Sequence, residues 1–346
     1  MNEKRIHRKK NKSWKKRLLY IFLFFLLVVI GIGAYVFIEA YQAADNSFED
    51  LQRAGDKSEL REEKVTIGDD PISILLLGIE DYSSNGKNGR ADTQIVVTLN
   101  PDTNKMTMTT INRDTRVELT RVEKYAGFHK INAAYTFGEL SGYGGNKHAV
   151  EAVEDLLDIP IDKYVAVNFE GFRDIVDVFG GVTIDIKEAF WEKNIYDNNN
   201  RIYFEQGPAH LNGEEALAFV RMRKRDVNAI YSREERQRQF IQATIDEAIS
   251  AGTILKVGEI SDVLGKNVQT NLKPKEIYAL EQAYSSMDPD SIETLEIEGN
   301  PNEYIGKYSY FVPYEESLTE VSQRLKSELG LSNSELTDNN TTQSIE

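Results

Sequence analysis

Residues 18–38, LLYIFLFFLLVVIGIGAYVFI, contain no charged side chain. A run of this length with no polar face cannot lie on a protein surface as an amphipathic helix, and as a helix it crosses a hydrocarbon core of about 30 Å. Residues 1–17 before it are dense in Lys and Arg, with Glu3 as their one acid. A basic flank stays on the cytoplasmic side, which places the rest of the chain outside the cell. Ala40, Ala43 and Ala44 leave a cleaved signal peptide as the alternative, but signal cores run about 7–15 residues and this one is longer. The expectation is an uncleaved anchor: single-pass, type II, at the cell membrane.

The chain of 346 residues carries a formal net charge of −15. Because the segment 1–17 is basic, the exterior part is more acidic still, which argues against a nucleic-acid partner. The basic segment serves topology and anionic lipid instead. There is no cysteine, so neither disulfides nor thiolate metal sites hold the fold. Residues 39–70 are highly charged with weak helical periodicity and read as an extracellular stalk. Pro71 opens a domain extending to residue 330. Residues 331–346 are poor in apolar side chains and read as a disordered tail.

Within the domain, apolar runs at Ile74–Leu77 and Gln94–Leu99 and the alternating Met106–Ile111 read as strands. Asn146–Leu157 is an amphipathic helix; Tyr164–Asn168 is a strand; Phe169–Phe179 is a helix closed by Gly180 and Gly181 before a strand at Val182–Ile186. The Asn-rich stretch 188–206 reads as a polar loop. Helices follow over 214–221, 233–251, 254–263 and 274–286, with closing strands at 291–297 and 308–312. The alternation predicts an α/β (mixed α+β) fold, a central mixed sheet with helices on both faces, preceded by one transmembrane helix.

Glu80 and Asp81 end the first strand, Arg90 and Asp92 begin the second, and Arg113 and Asp114 follow the third. Carboxylates and guanidiniums at one sheet edge suit a metal-bound polyphosphate. Mg²⁺ takes few protein oxygens and completes its shell with phosphate and water. Each pair alone reads equally well as a surface ion pair. Lys130 stands at a helix start, Arg221 and Arg223 leave a helix, and Arg233, Arg236 and Gln237 open the next. Arginines in such clusters make forked bonds to phosphate oxygens. His7, His129, His148 and His210 are scattered, and neither G-x-S-x-G nor H-E-x-x-H occurs. That removes serine hydrolases and zincins.

In order, GRADT at 89–93, TINRDT at 110–115, KINAAY at 130–135, VDVFGGV at 176–182, LNGEEALAFVRMR at 211–223 and RQ at 236–237 resemble the LytR–CpsA–Psr family, over about residues 71–250. The resemblance implies a metal-dependent phosphotransferase of Gram-positive walls. Its substrate would be an anionic glycopolymer, wall teichoic acid or capsule-like, carried on undecaprenyl diphosphate, and its acceptor a muropeptide hydroxyl of peptidoglycan. An apolar slot between sheet and helices would hold the polyprenyl chain. The cofactor implied is Mg²⁺ or Mn²⁺, on Asp92 and on Glu80 or Asp81; Glu80 replaces the family's Asp. Arg90, Arg113, Lys130, Arg221, Arg223, Arg233 and Gln237 would bind the pyrophosphate. Arg113, Arg221 and Arg223 would also stabilise developing charge, and Asp114 would orient groups or act as base. Asn112 stands where the family has Pro. Two rivals stay open: a non-catalytic wall-polymer or lipid-binding regulatory protein, and a polyprenyl-pyrophosphatase.

Overall fold

The structure is a computed structural model describing residue 42 and residues 45–82, 87–250, 267–284 and 292–331. In chain order it contains β1 (Ile72–Glu80), β2 (Arg90–Asn100), β3 (Lys105–Thr110), β4 (Arg116–Leu119), β5 (Gly127–Lys130), α1 (Ala133–Ser141), α2 (Gly145–Leu157), β6 (Lys163–Asn168), α3 (Phe169–Phe179) and β7 (Val182–Ile186). Then come β8 (Phe190–Lys193), β9 (Arg201–Phe204), β10 (Gly207–Leu211), α4 (Gly213–Arg221), α5 (Arg233–Ser250), β11 (Val268–Thr270), α6 (Pro274–Tyr284), β12 (Ile292–Glu296), β13 (Gly299–Ile305), β14 (Tyr308–Pro313) and α7 (Glu315–Glu328).

A six-stranded sheet runs β11-β6-β1-β2-β3-β12. β1 pairs parallel with β6 and β3 parallel with β12, while the β1–β2, β2–β3 and β6–β11 pairs are antiparallel. The sheet is mixed, as expected. Side chains alternate between faces, so Leu75, Leu77, Ile79 and Val96 pack with α2 and α7 on one side. Ile72, Ile74, Ile95, Val97 and Met108 pack against α6 on the other. A separate cluster joins β7–β10 to α3, α4 and α5 around Phe190, Phe204, Phe219 and Phe240. Ile241 of α5 touches this cluster and the sheet core, tying them together.

Two expectations need correction. The polar run 188–206 is not a loop but contains the β8–β9 hairpin. Phe190 and Phe204 face each other across it, ring centroids 4.6 Å apart, and both pack on Phe219 at 5.8 Å. The DNNN run is its turn: Asn198 and Asn199 take φ of 47° and 59°, which asparagine tolerates.

The described part of the expected stalk, 45–70, lies against the domain. Leu51 is in the main core, the Glu49 N–H donates to the Thr270 carbonyl at 2.7 Å, Arg53 pairs with Glu154 at 2.7 Å and Arg61 with Asp162 at 2.8 Å. Largely buried carboxylates on the domain neutralise these arginines, so the domain begins well before Pro71. The basic segment, the transmembrane span, the 254–263 helix and the tail beyond 331 lie outside the described residues. Among those described, no helix is long and apolar enough to cross a membrane.

Two of the sequence motifs turn out to be joints. Gly180 caps α3 with φ of 92°, as its position predicts. In LNGEEAL, the Asn212 side chain accepts from the Glu215 N–H at 3.0 Å while Glu215 bonds back to the Asn212 N–H at 2.9 Å, a reciprocal cap. Gly213 donates to Asp177 of α3 at 2.7 Å, and a Cβ there would collide with the Arg173 carbonyl. Gly213→Ala therefore forces α4 off α3. We expect a loss of about 2 kcal/mol, read as a lower melting temperature.

Candidate active site

The parallel strands β6, β1, β3 and β12 all end at one sheet edge, where open α/β sheets form their ligand crevice. Glu80 ends β1 opposite Arg90 of β2, and Asp92 lies two residues further along. Asp92 is gripped at both oxygens: Arg113 Nη1 donates to Oδ2 and Asn132 Nδ2 donates to Oδ1 at 2.8 Å. Asp114 accepts from Lys130 Nζ at 2.9 Å and lies 3.8 Å from Arg113 Nε. Arg113 thus sits between two carboxylates. Asp114, paired with two cations, is suited to orient Arg113 and Lys130.

The loop carrying Arg113 is built by Asn112. Asn112 Oδ1 accepts the Asp114 N–H at 2.9 Å, and its carbonyl accepts the Thr115 N–H at 2.9 Å and hydroxyl at 2.6 Å. An asparagine turn of this kind replaces the stiffness proline would supply. On the opposite wall, Gln237 Nε2 donates to Thr93 Oγ1 at 2.8 Å, pinning the first turns of α5 to β2 beside Asp92.

The electrostatics are those of a site made for an anion. Arg233, at 7 % exposure, is pushed below the usual guanidinium range by burial; Asp92 pulls it up, Arg113 and Arg221 push it further down. Its Nε has no hydrogen-bond partner among the described residues. Burial likewise lowers Arg221, against the pull of Glu192, Glu80 and Asp92; its guanidinium lies 5.2 Å over the Phe169 ring. Desolvated, mutually repelling cations are stabilised by a bound polyanion.

On the β1 side the sign reverses. Burial raises the Asp81 carboxyl, and Glu80 and Glu170 raise it further, opposed by bonds to its own backbone and to Asn168. Glu80, Asp81 and Asp92 are hard oxygen donors of the type Mg²⁺ takes. Among the described residues, no group of three or more His, Cys, Asp or Glu is arranged to hold a metal ion by itself.

The remaining expected residues sit further out. Arg90 is exposed at the start of β2, and Arg223 is exposed just past α4. An apolar cavity of about 180 Å³ opens between β6, α3, β7 and α5, lined by Val167, Phe172, Phe179, Val182 and Phe240. Val167 is the register partner of Gly78, two residues before Glu80, so the cavity adjoins the charged edge.

Asn132 escaped the sequence reading although it lies within KINAAY, two residues from Lys130. Arg236, in the RQ pair, is not at the site. Fully buried, it donates to the carbonyls of Phe219, Tyr231 and Met222 and to Asn228 Oδ1, lacing the segment between α4 and α5.

The chain belongs to a known class: the LytR_cpsA_psr family pattern matches residues 34–327. Among individual relatives, it is 44% identical over 316 residues to the polyisoprenyl-teichoic acid–peptidoglycan teichoic acid transferase TagV of Bacillus subtilis (strain 168), covering 91% of this chain and 78% of that one. The crystal structure of B. subtilis TagV matches with a TM-score of 0.64 at 43% identity, over 76% of this chain and 98% of that chain. The LytR-CPS2A-psr family protein YwtF (TagT) with bound octaprenyl pyrophosphate lipid matches with a TM-score of 0.63 at 28% identity, over 82% and 99%.

Proposed function

We propose that the chain is a membrane-anchored phosphotransferase that moves an anionic cell-wall glycopolymer from a polyprenyl diphosphate carrier to a hydroxyl of peptidoglycan. The observation that carries this is the Arg113–Asp92 pair, with the buried Arg233 and Arg221 near enough to feel the Asp92 charge, next to an apolar cavity. One half suits a diphosphate and the other its lipid. The named activity of the TagV relative and the lipid bound to YwtF support the same assignment. The uncharged run 18–38 behind its basic flank supports the anchor.

In the reaction, the acceptor oxygen forms a bond to the polymer-bearing phosphorus and the bond from that phosphorus to the bridging oxygen breaks. Polyprenyl monophosphate leaves and takes up the acceptor's proton. What these residues supply is positioning of donor and acceptor and stabilisation of the charge that develops on the phosphate oxygens. Arg113, held by Asp92 and Asp114, presents its guanidinium to the equatorial oxygens. Arg221 and Arg233 face the bridging oxygen from the helix side, and Gln237 keeps α5 in register with β2. Mg²⁺ on Asp92 with Glu80 or Asp81 would neutralise phosphate charge when bound.

The test incubates the chain with a lipid-linked polymer donor and peptidoglycan. Polymer should appear covalently on the glycan, EDTA should stop transfer, and added Mg²⁺ should restore it. Polymer released only to water would instead make the protein a pyrophosphatase; donor binding without turnover would make it a regulatory binder.

A further inference from the structure

An asparagine placed just before a helix ordinarily takes an extended backbone and accepts a first-turn N–H on its side-chain oxygen. Asn168 does so ahead of α3, with ψ of 172°, accepting from Gly171 at 2.8 Å. Asn212 does so ahead of α4, with ψ of 178°, accepting from Glu215 at 3.0 Å. Asn132, at the same position before α1, does not. Its backbone is already helical, with φ of −63° and ψ of −19°, and its side chain makes no capping bond. The Ala134 N–H goes instead to the Ile131 carbonyl at 3.1 Å.

The side chain is turned to the site instead. Its Nδ2 donates to Asp92 Oδ1 at 2.8 Å; an ionised carboxylate only accepts, so the amide nitrogen is the atom that faces it. One turn further on, the Thr136 hydroxyl donates to the Gly89 carbonyl at 2.6 Å. One face of α1 therefore holds the segment carrying Asp92 at two points. The backbone of Asn132 meets the other half of the ion pair. Its N–H donates to the Arg113 carbonyl at 3.2 Å, and the Ile131 N–H donates to the Thr115 carbonyl at 2.8 Å. Ile131 and Ala134 are fully buried in the main core, and Asn132 is 4 % exposed. A short side chain on a backbone fixed in this way has little freedom left, and it joins Asp92 to the loop presenting Arg113.

The chemistry of the donor matters as well. Arg113 brings a positive charge to Asp92, whereas an amide is neutral and does not titrate. Asn132 thus fixes the rotation of the carboxylate without cancelling its charge. A carboxylate offers about four acceptor directions, so both oxygens can still take a further ligand.

We propose that Asn132 is a positioning residue: it forgoes the cap of α1 in order to set the Asp92 carboxylate against Arg113 and the donor's diphosphate. The inference rests on the transferase reading, but its binding arm does not need turnover.

The experiment uses the full chain in nanodiscs. It reads transfer kinetics with lipid-linked donor and peptidoglycan, and calorimetric binding of farnesyl diphosphate in Mg²⁺ buffer. Asn132→Ala should lower kcat about thirtyfold and weaken farnesyl diphosphate about tenfold, the range seen when the group holding a ligand carboxylate is removed. Its melting temperature should stay within about 2 °C of wild type, whereas Asn212→Ala, which loses a working cap, should melt several degrees lower. Asn132→Asp separates the two roles. Aspartate caps a helix as well as asparagine does but cannot donate to Asp92, so this variant should melt like wild type and transfer no better than the alanine one. In an Asp92→Ala background, Asn132→Ala should weaken farnesyl diphosphate no further. Equal weakening in both backgrounds, or recovery of transfer by aspartate, overturns the positioning role. So does an Asn132→Ala protein with wild-type kcat and affinity. If the alanine variant fails to melt cooperatively, Asn132→Ser carries the same comparison, because its hydroxyl is one bond shorter than the amide. If neither wild type nor any variant transfers polymer, the transferase reading falls, and the binding cycle still decides Asn132.

Discussion

Arg113→Ala should lower polymer transfer by about a thousandfold while the protein melts within a few degrees of wild type. Losing one preorganised donor to developing negative charge costs about 10²–10³ in rate, and arginines acting on transferred phosphoryl groups reach higher. The structural cost is small, because Asp92 keeps its bond from Asn132 at 2.8 Å and Asp114 keeps Lys130 at 2.9 Å. Arg113→Lys should recover only part of the activity: a lysine is a compact point charge without the planar fork that holds Asp92 on one edge and presents a second edge to phosphate. The measurements are transfer of labelled polymer to sacculi and a thermal melt. A folded Arg113→Ala protein working at near wild-type rate would sink the assignment.

Arg236→Met should produce the opposite pattern, a stability defect first. The guanidinium is fully buried and satisfies three carbonyls, those of Phe219, Met222 and Tyr231. Burial lowers it to about 10, so it remains charged at neutral pH. Methionine fills part of the volume but leaves the carbonyls without donors. Each orphaned acceptor costs about 1–3 kcal/mol, so a loss of about 3–5 kcal/mol is expected after relaxation. For a domain of this size that is a melting temperature lower by about 10 °C. Transfer should fall only as far as the α4–α5 segment loosens and Arg221 and Arg233 lose their placement. A variant that melts like wild type yet transfers nothing would move Arg236 into the chemistry.

The contrast between these arginines shows where a motif is ambiguous. RQ at 236–237 contributes one residue to the site wall, Gln237, and one to the scaffold. A helix turns about 100° per residue, so neighbours face different surroundings, and only the packing of α4 and the β8–β9 hairpin says which. Likewise LNGEEALAFVRMR contains a cap at Asn212, a close helix contact at Gly213 and a site cation at Arg221. The β8–β9 hairpin was hidden because four-residue strands around an Asn-rich turn carry too little periodicity to stand out. Its evidence is cross-strand: Phe190 meets Phe204.

Local chemistry was enough for the strands and helices whose apolar periods are long: β1, β2, α2, α3 and the Gly180 cap. It was enough for the uncharged run 18–38, and for the grouping of carboxylates and arginines at strand ends. Such features depend on neighbours a few residues away, so the order of residues states them directly. The close placement of Asp92, Asn132, Arg113, Arg221 and Arg233 is different, because these residues come from β2, the starts of α1 and α5, a loop and the end of α4. Their meeting depends on how the sheet and the second cluster dock, and that is set by core packing rather than by any short stretch of chain. The same holds for the order of apolar cavity and charged edge across the strands. Strand order is a tertiary fact, since β12 and its hairpin come late in the chain yet lie beside β3.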